Sequence, residues 1–113
     1  MSGTASRVGR YFPAGSAGTR PRPERELAAY GGRRLFRGKR VLDVGTGDGR
    51  LALGAARWAR GVTGLDPDPV AIRDARANAR RMGIRNARFV VGPAQKLPFR
   101  DASFDVVILS WVL

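Results

Sequence analysis

The chain has 113 residues, 43% of them hydrophobic, with no cysteine, no histidine and a formal net charge of +12. This length predicts one domain at most, with a single modest core and no cleft between two domains. Without cysteine or histidine, disulfides, thiolate nucleophiles, a histidine general base and the usual zinc sites are excluded. We therefore predict no metal site, and chemistry that depends on carboxylates, hydroxyls, backbone groups or a cofactor.

Most of the net positive charge lies in the leading segment, since residues 1–40 hold ten basic and two acidic side chains, whereas residues 41–113 hold eleven and seven. Residues 1–23 are rich in Ser, Gly, Pro and Arg and contain few large apolar side chains. We predict a disordered basic tail there, followed by a folded domain over residues 24–113. No apolar stretch approaches the ~20 residues that span a bilayer. The sequence thus predicts no membrane contact and a cytoplasmic location.

The domain alternates between strand and helix patterns. A helix-prone run at residues 24–30 ends at a pair of glycines. Such alternation predicts an α/β fold with a parallel sheet, right-handed crossovers and helices on both faces. The predicted strands are 40–44, 62–66, 87–91 and 104–111, and the predicted helices between them are 51–60 and 69–82.

The second of these helices has clear boundary signals and an amphipathic pattern. Asp68 fits the N-cap and Pro69 the first helical position, with Gly83 as the stop. One side carries small and apolar residues, which we expect to pack on the sheet: Ala71, Ala75, Ala79 and Met82. The opposite side carries Arg73, Arg76 and Arg80, which we expect to face solvent.

Three glycines, Gly45, Gly47 and Gly49, lie between the strand at 40–44 and the helix that follows. Glycine there permits a tight turn and the close approach of a ligand. A dinucleotide-binding loop would need glycine at the sixth position, which is Arg50. Two carboxylates flank the loop and would repel a pyrophosphate: Asp43 and Asp48. A cationic ligand is therefore favoured, and a nicotinamide enzyme is the weaker alternative.

Asp66 ends the strand at 62–66, which places its carboxylate at the same sheet edge as the glycine loop. A carboxylate there can accept hydrogen bonds from both hydroxyls of a ribose. The alternative is a turn or capping aspartate before Pro67. Asp43 is expected to fix the loop backbone, and Asp48 is either functional or a simple turn former.

The segments VLDVGTGDGRL, GLDPDPVAIRDARANARRMGI and RFVVGPAQKLPFRDASFDVVILSWVL resemble class I S-adenosylmethionine-dependent methyltransferases, particularly the small-molecule, quinone-biosynthesis-like branch. The resemblance covers Arg40–Leu113, the cofactor-binding half of that family's domain. It implies a Rossmann-like sheet whose four strands, numbered along the chain, have the order 3-2-1-4. It also implies S-adenosyl-L-methionine as cofactor and methyl transfer by in-line displacement to a small-molecule acceptor. The acceptor and any general base stay unidentified.

The same resemblance implies a set of cofactor-binding residues: Asp43, Gly45, Thr46, Gly47, Gly49, Asp66, Pro67, Ala94 and Ser110. The glycines would lie against the methionyl part, Asp43 would orient the loop and assist the ammonium group, and Asp66 would hold the ribose. Leu65 and Pro67 would neighbour the sugar or the adenine. Pro93 stands where the family usually has an acid for the adenine amino group, which leaves the Ala94 N–H as the adenine contact.

The family's sheet has seven strands and this sequence ends after the fourth, so we expect a fragment with an exposed fourth strand. A dimer or another partner could pair through that edge. One alternative is a catalytically incompetent cofactor-binding or interaction module. A second alternative is an RNA-associated methyltransferase or a basic RNA-binding protein, which the net positive charge suggests. Ser110–Leu113 does not match the Asp/Asn-Pro-Pro-aromatic pattern of amino-directed nucleic-acid methyltransferases.

Overall fold

The computed structural model describes residues 10–13, 31–93 and 103–110. Five strands and three helices lie in these ranges. The strands are β1 (Arg10–Pro13), β2 (Arg40–Val44), β3 (Gly61–Asp66), β4 (Ala87–Val91) and β5 (Val106–Leu109). The helices are α1 (Gly32–Phe36), α2 (Arg50–Ala55) and α3 (Pro69–Arg81). No helix in the described ranges is long and apolar enough to cross a membrane.

The strands form one sheet in which every neighbouring pair is parallel, in the order β1-β5-β2-β3-β4. The four predicted strands therefore have the predicted order 3-2-1-4. β2 and β4 have the predicted bounds, β3 begins one residue earlier, and β5 is shorter than predicted. The apolar runs identified these strands because a parallel strand with both faces covered has little place for polar side chains.

β1 corrects two predictions. It runs beside β5, with Arg10 in register with Val106 and Pro13 with Leu109. The prediction of disorder is therefore wrong for these four residues, while the rest of residues 1–23 lies outside the described ranges. The fourth predicted strand is not an exposed edge, because a segment of the same chain pairs with its backbone. A partner pairing there would first have to displace β1.

The core has two parts, one on each face of the sheet. On the first face, Leu51 of α2 and Ile72 of α3 pack with Phe36, Phe89 and Ile108. Right-handed crossovers from β2 to β3 and from β3 to β4 advance in one direction across the sheet, so both helices lie on that face. The second face carries another cluster, made by Leu42, Val44, Leu65, Phe104 and Val107. Phe104, two residues before β5, belongs to this second cluster. Residues 94–102 are outside the described part.

The predicted signals of α3 are present. The Asp68 side chain accepts a hydrogen bond from the Val70 amide at 2.9 Å, and Ala75 and Ala79 are buried on the sheet side. The predicted arginines are exposed, but the Arg76 Nη2 donates to the Phe89 carbonyl oxygen of β4 at 2.8 Å, so Arg76 does not simply face solvent. The prediction that Met82 packs on the sheet is wrong, since its side chain is 54% exposed. The helix ends before it, and the left-handed turn at Gly83 brings Ile84 against the core instead.

α2 is shorter than predicted, ending at Ala55 instead of continuing to residue 60. The following turns are held by the Asn86 side chain, whose Nδ2 donates to the carbonyl oxygens of Ala56 at 2.8 Å and Ala59 at 3.2 Å. Trp58 packs on Phe36 with ring centroids 6.4 Å apart. Tertiary contacts that join sequence-distant residues thus end a helix whose local pattern favours continuation.

Candidate functional site

The candidate site lies at the carboxyl edge of the sheet, where the loop at residues 45–49 follows β2. The amides of Gly45 and Thr46 both donate to the Leu65 carbonyl oxygen near the end of β3, at 2.8 and 3.0 Å. The Gly49 amide donates to the Thr46 carbonyl oxygen at 2.9 Å. The loop is therefore folded onto the neighbouring strand, and its position is determined by backbone hydrogen bonds.

Gly47 and Gly49 are required for different reasons. Both have left-handed backbone conformations, with φ of +58° and +87°. A Cβ on Gly49 would lie 3.0 Å from the Phe89 ring and 3.2 Å from the Ala75 Cβ, so glycine allows α3 and β4 to approach the start of α2. A Cβ on Gly47 would have nothing within 4 Å. The surface above Gly47 is therefore open, as a ligand that contacts the backbone requires.

Asp66 joins the ends of two strands through its carboxylate. Its Oδ2 accepts a hydrogen bond from the Gly47 amide at 2.9 Å, and its Oδ1 accepts one from the Asp68 amide at 2.9 Å. The residue is half-buried. Because a carboxylate can accept about four hydrogen bonds, each oxygen retains capacity for a further donor. The hydrogen bond from the Asp68 amide is the turn contact that the alternative predicted. The one from the Gly47 amide shapes the glycine loop, beside which the carboxylate presents its remaining acceptor capacity.

Asp43 is fully buried behind the loop. The Thr46 hydroxyl donates to its Oδ2 at 2.9 Å, and the Ser110 hydroxyl donates to its Oδ1. Burial raises the pKa of Asp43 to about 7, against the opposing effects of these two hydrogen bonds and the positive charge of Arg50. The carboxyl group thus connects β2, the loop and the end of β5. This geometry favours the predicted role in orienting the loop over a direct ligand contact.

The other predicted site residues are distributed around this centre. Asp48 is exposed and accepts a hydrogen bond from the Arg50 amide at 3.2 Å, as a turn former does. Pro67 is exposed next to Asp66, and Pro93 is exposed two residues after β4. The Leu65 side chain is fully buried in the second cluster, so the predicted position of Leu65 beside the sugar or adenine concerns its backbone. Ala94 lies outside the described residues.

Gly64 is a site residue that the sequence analysis missed. It lies inside β3 beside Asp43 of β2. A Cβ there would be 2.5 Å from the Phe89 ring and 2.6 Å from the Thr46 hydroxyl. Glycine at this position therefore makes room for the hydroxyl that binds Asp43. A glycine within a short apolar strand was the available signal, since it indicates a close approach by another group.

The donor and acceptor set of this edge suits a hydroxyl-bearing or cationic ligand. Asp43, Asp48, Asp66 and Asp68 all lie around the loop, whereas the chain as a whole is strongly basic. A phosphate-binding loop directs its free amides at the anion. Here the amides of Gly45, Thr46, Gly47 and Gly49 donate within the protein. This finding agrees with the sequence evidence against a dinucleotide.

Comparison with known proteins gives a family match. The methyltransferase domain model matches residues 35–113. The chain is 38% identical over 68 residues to the uncharacterized methyltransferase YcgJ of Bacillus subtilis, covering 60% of this chain and 27% of that protein. It is 42% identical over 79 residues to the ribosomal protein L11 methyltransferase of Thermus thermophilus, covering 69% and 30%.

A solved structure with bound ligands is also similar. The chain superposes on phosphoethanolamine N-methyltransferase 1 of Haemonchus contortus, solved with phosphoethanolamine and S-adenosylhomocysteine, with a TM-score of 0.64 and 27% identity. This match covers 69% of this chain and 16% of the other. The chain spans less than a third of the length of the curated relatives named above. The fold, the glycine loop and the family match lead to one conclusion: the chain belongs to the methyltransferase-domain family.

Proposed function

We propose that the carboxyl edge of the sheet binds S-adenosylmethionine and forms the cofactor side of a methyltransferase. The observation that carries the proposal is the hydrogen bond between the Gly47 amide and the Asp66 carboxylate. It places two acceptor oxygens next to the open backbone of a glycine loop. In the proposed complex, Asp66 accepts hydrogen bonds from the ribose hydroxyls, and the loop at residues 45–49 lies against the methionyl part.

The chemistry of the edge fits this ligand. When bound, S-adenosylmethionine would supply a methyl group on a positively charged sulfonium. An acceptor atom would attack that methyl carbon in line with the sulfur–carbon bond, and S-adenosylhomocysteine would leave. The acidic side chains around the loop attract its two positive charges. Thr46 and Ser110 hold Asp43, and Asp43 in turn fixes the loop. Pro67 and the Ala94 amide belong to the same proposal, as neighbours of the sugar and the adenine.

Since the methyl group is already activated, the chain's residues would contribute mainly position and exclusion of water. We assign no general base. The first candidate acceptor is a small molecule, as it is for the phosphoethanolamine enzyme named above, and this chain has no cysteine nucleophile of its own. RNA is the second candidate, favoured by four arginines at the opposite edge of the sheet. A cytoplasmic location is part of the proposal.

Calorimetric titration of S-adenosylmethionine into the wild-type chain and an Asp66→Asn variant tests the cofactor site. The substitution keeps the shape of the side chain and removes its charge. We expect a loss of affinity of roughly ten- to hundredfold, because hydrogen bonds to a charged group contribute about 1.5–3 kcal/mol. Circular dichroism establishes that each variant is folded.

Asp74→Asn is the matched control, since Asp74 is an exposed carboxylate on α3, away from the loop. It should bind S-adenosylmethionine as the wild type does. A folded wild-type chain that does not bind the cofactor would overturn the proposal. Equal weakening by both substitutions would show that net charge, and not the Asp66 position, determines binding.

A further inference from the structure

The amino edge of the sheet contains a second concave feature, remote from the glycine loop. A cleft of about 600 Å³ opens where β2, β3 and β4 begin. Four arginines line it: Arg40, Arg60, Arg85 and Arg88. None of the described residues that line the cleft is acidic. The six residues of β3 separate this edge from the loop by about 17 Å, at the usual rise of a strand.

The arginine side chains are attached to a well-anchored backbone. The Arg60 amide donates to the Lys39 carbonyl oxygen at 2.9 Å, and the Val62 amide donates to the Asn86 carbonyl oxygen at 2.9 Å. The Asn86 side chain connects the start of β4 to the turns after α2. The turns that carry Arg60 and Arg85 are thus held together, so little backbone ordering is needed when a ligand binds.

Arg88 is oriented by a buried hydroxyl. It lies in register with Thr63 of β3, and its Nε donates to the Thr63 Oγ1 at 3.3 Å. Thr63 is only 5% exposed. A guanidinium held through its Nε keeps its two Nη groups as donors, and a planar pair of donors matches the geometry of two phosphate oxygens. Arg40 is held differently, by an ion pair with Asp105 at 3.4 Å.

The spread of the charges indicates the kind of anion. At the usual spacing of strands, the distance from β2 to β4 is about 10 Å. The arginines on these strands are therefore spread over a greater distance than a single phosphate group can bridge. Among the described lining residues, the Phe104 ring is buried and cannot stack on a base, and the Asn86 amide nitrogen already donates to two carbonyl oxygens. The cleft therefore suits a chain of phosphates recognised without regard to base sequence.

We propose that the arginine cleft at the amino edge of the sheet binds the phosphate backbone of RNA. The site is independent of the proposed cofactor edge. It would hold RNA on the side of the domain away from the loop, as an anchoring surface. Binding there should be strongly dependent on salt, because each phosphate contact releases counterions.

Fluorescence anisotropy with a labelled 16-nucleotide poly(U) RNA, titrated over a range of salt concentrations, tests this inference. The cleft variant is Arg60→Gln/Arg85→Gln/Arg88→Gln. We expect at least tenfold weaker binding than the wild type at low salt. The slope of log affinity against log salt should become shallower by about two to three, since each phosphate contact contributes about one.

The matched control removes three arginines from the exposed side and end of α3: Arg73→Gln/Arg80→Gln/Arg81→Gln. It changes the net charge equally and should weaken binding less than threefold. Thr63→Val gives a second comparison with no change in charge, and we expect two- to fivefold weaker binding because Arg88 loses its orienting acceptor. Thermal unfolding establishes that all variants are folded.

Three outcomes would overturn the inference. Equal weakening by the two triple variants would mean diffuse attraction to a basic chain. Absence of wild-type binding at low salt would exclude an RNA site, and competition by inorganic pyrophosphate at the same concentration as the oligomer would indicate a small anion instead. The Asp66→Asn variant should bind RNA as the wild type does, which separates a failure of this inference from a failure of the cofactor proposal.

Discussion

The two edges of the sheet carry opposite charges in opposite physical states. At the carboxyl edge, Asp43 is fully buried, Asp66 is half-buried, and both carboxylates accept hydrogen bonds from the loop. At the amino edge, Arg60, Arg85 and Arg88 are exposed. Burying a charge lowers stability unless hydrogen bonds offset the lost solvation, whereas exposed charges have little effect on stability. The buried carboxylates at the carboxyl edge therefore fix the geometry of the loop but lower the stability of the fold. The exposed arginines at the amino edge attract anions over long range with little effect on stability.

The largest expected effect concerns Asp43 and the pH dependence of stability. Its pKa in the folded state, about 7, lies above the ordinary value of 3.8 because of burial. The folded state therefore holds this proton more tightly than the unfolded state does. The contribution of Asp43 to stability should decrease as pH rises from about 4 to about 7, by up to about 4 kcal/mol.

Urea unfolding between pH 4 and 8 measures this effect. In the Asp43→Asn variant, the decrease over that range should be strongly reduced, because the side chain does not titrate. A wild-type chain whose stability rises steadily from pH 4 to 7 would contradict the assignment of a buried, destabilised carboxylate. It would also remove the contrast between the two edges.

The next effect concerns packing beneath the loop. Gly49→Ala should lower the free energy of unfolding by about 2–3 kcal/mol, because it adds a left-handed alanine and crowds Phe89 and Ala75. Gly83→Ala has a similar φ of +70° but nothing within 4 Å of the added Cβ, so about 1 kcal/mol is expected. Denaturant midpoints of the two variants measure the difference, and equal losses would show that packing at Gly49 contributes nothing.

The smallest effect is expected at the amino edge. Asp105 accepts a hydrogen bond from the Arg40 amide at 2.9 Å, and this interaction lowers the pKa of Asp105. The stabilisation that this interaction gives the folded state should be complete at pH values above the ordinary pKa of an aspartate. It should be lost as the pH falls through the lower pKa that Asp105 has in the folded state. At pH 7, Asp105→Asn should lower the free energy of unfolding by only about 0.5–1 kcal/mol, as for an exposed pair.

Asp74→Asn on α3 is the control for this substitution and should change stability by less than about 0.3 kcal/mol, because Asp74 and Arg73 form an exposed pair. Thermal unfolding at pH 7 and pH 3 compares both variants with the wild type. A loss at Asp105 as large as the loss at Gly49 would mean that the amino edge is also under strain, contrary to the comparison.

The strand order 3-2-1-4 was implied by the family resemblance. The residues by themselves predicted four parallel strands, the limits of α3 and the position of the glycine loop. These features follow from local causes: apolar runs, an Asp-Pro start, a glycine stop and chain connectivity, each read within a few residues. The family match rests on the same local segments, which is why it could be anticipated from the sequence.

Only the tertiary structure decided the features that depend on distant residues. Asp43 and Ser110 are 67 positions apart and meet because β2 and β5 are neighbours. The need for Gly64 becomes visible only with Phe89 and Thr46 in place. β1 was missed because its pairing with β5 depends on a strand far along the chain. The arginine cleft likewise forms only because three strands begin at the same edge of the sheet. The local sequence pattern determines which helix or strand a residue belongs to, whereas long-range packing determines which side chains share a surface.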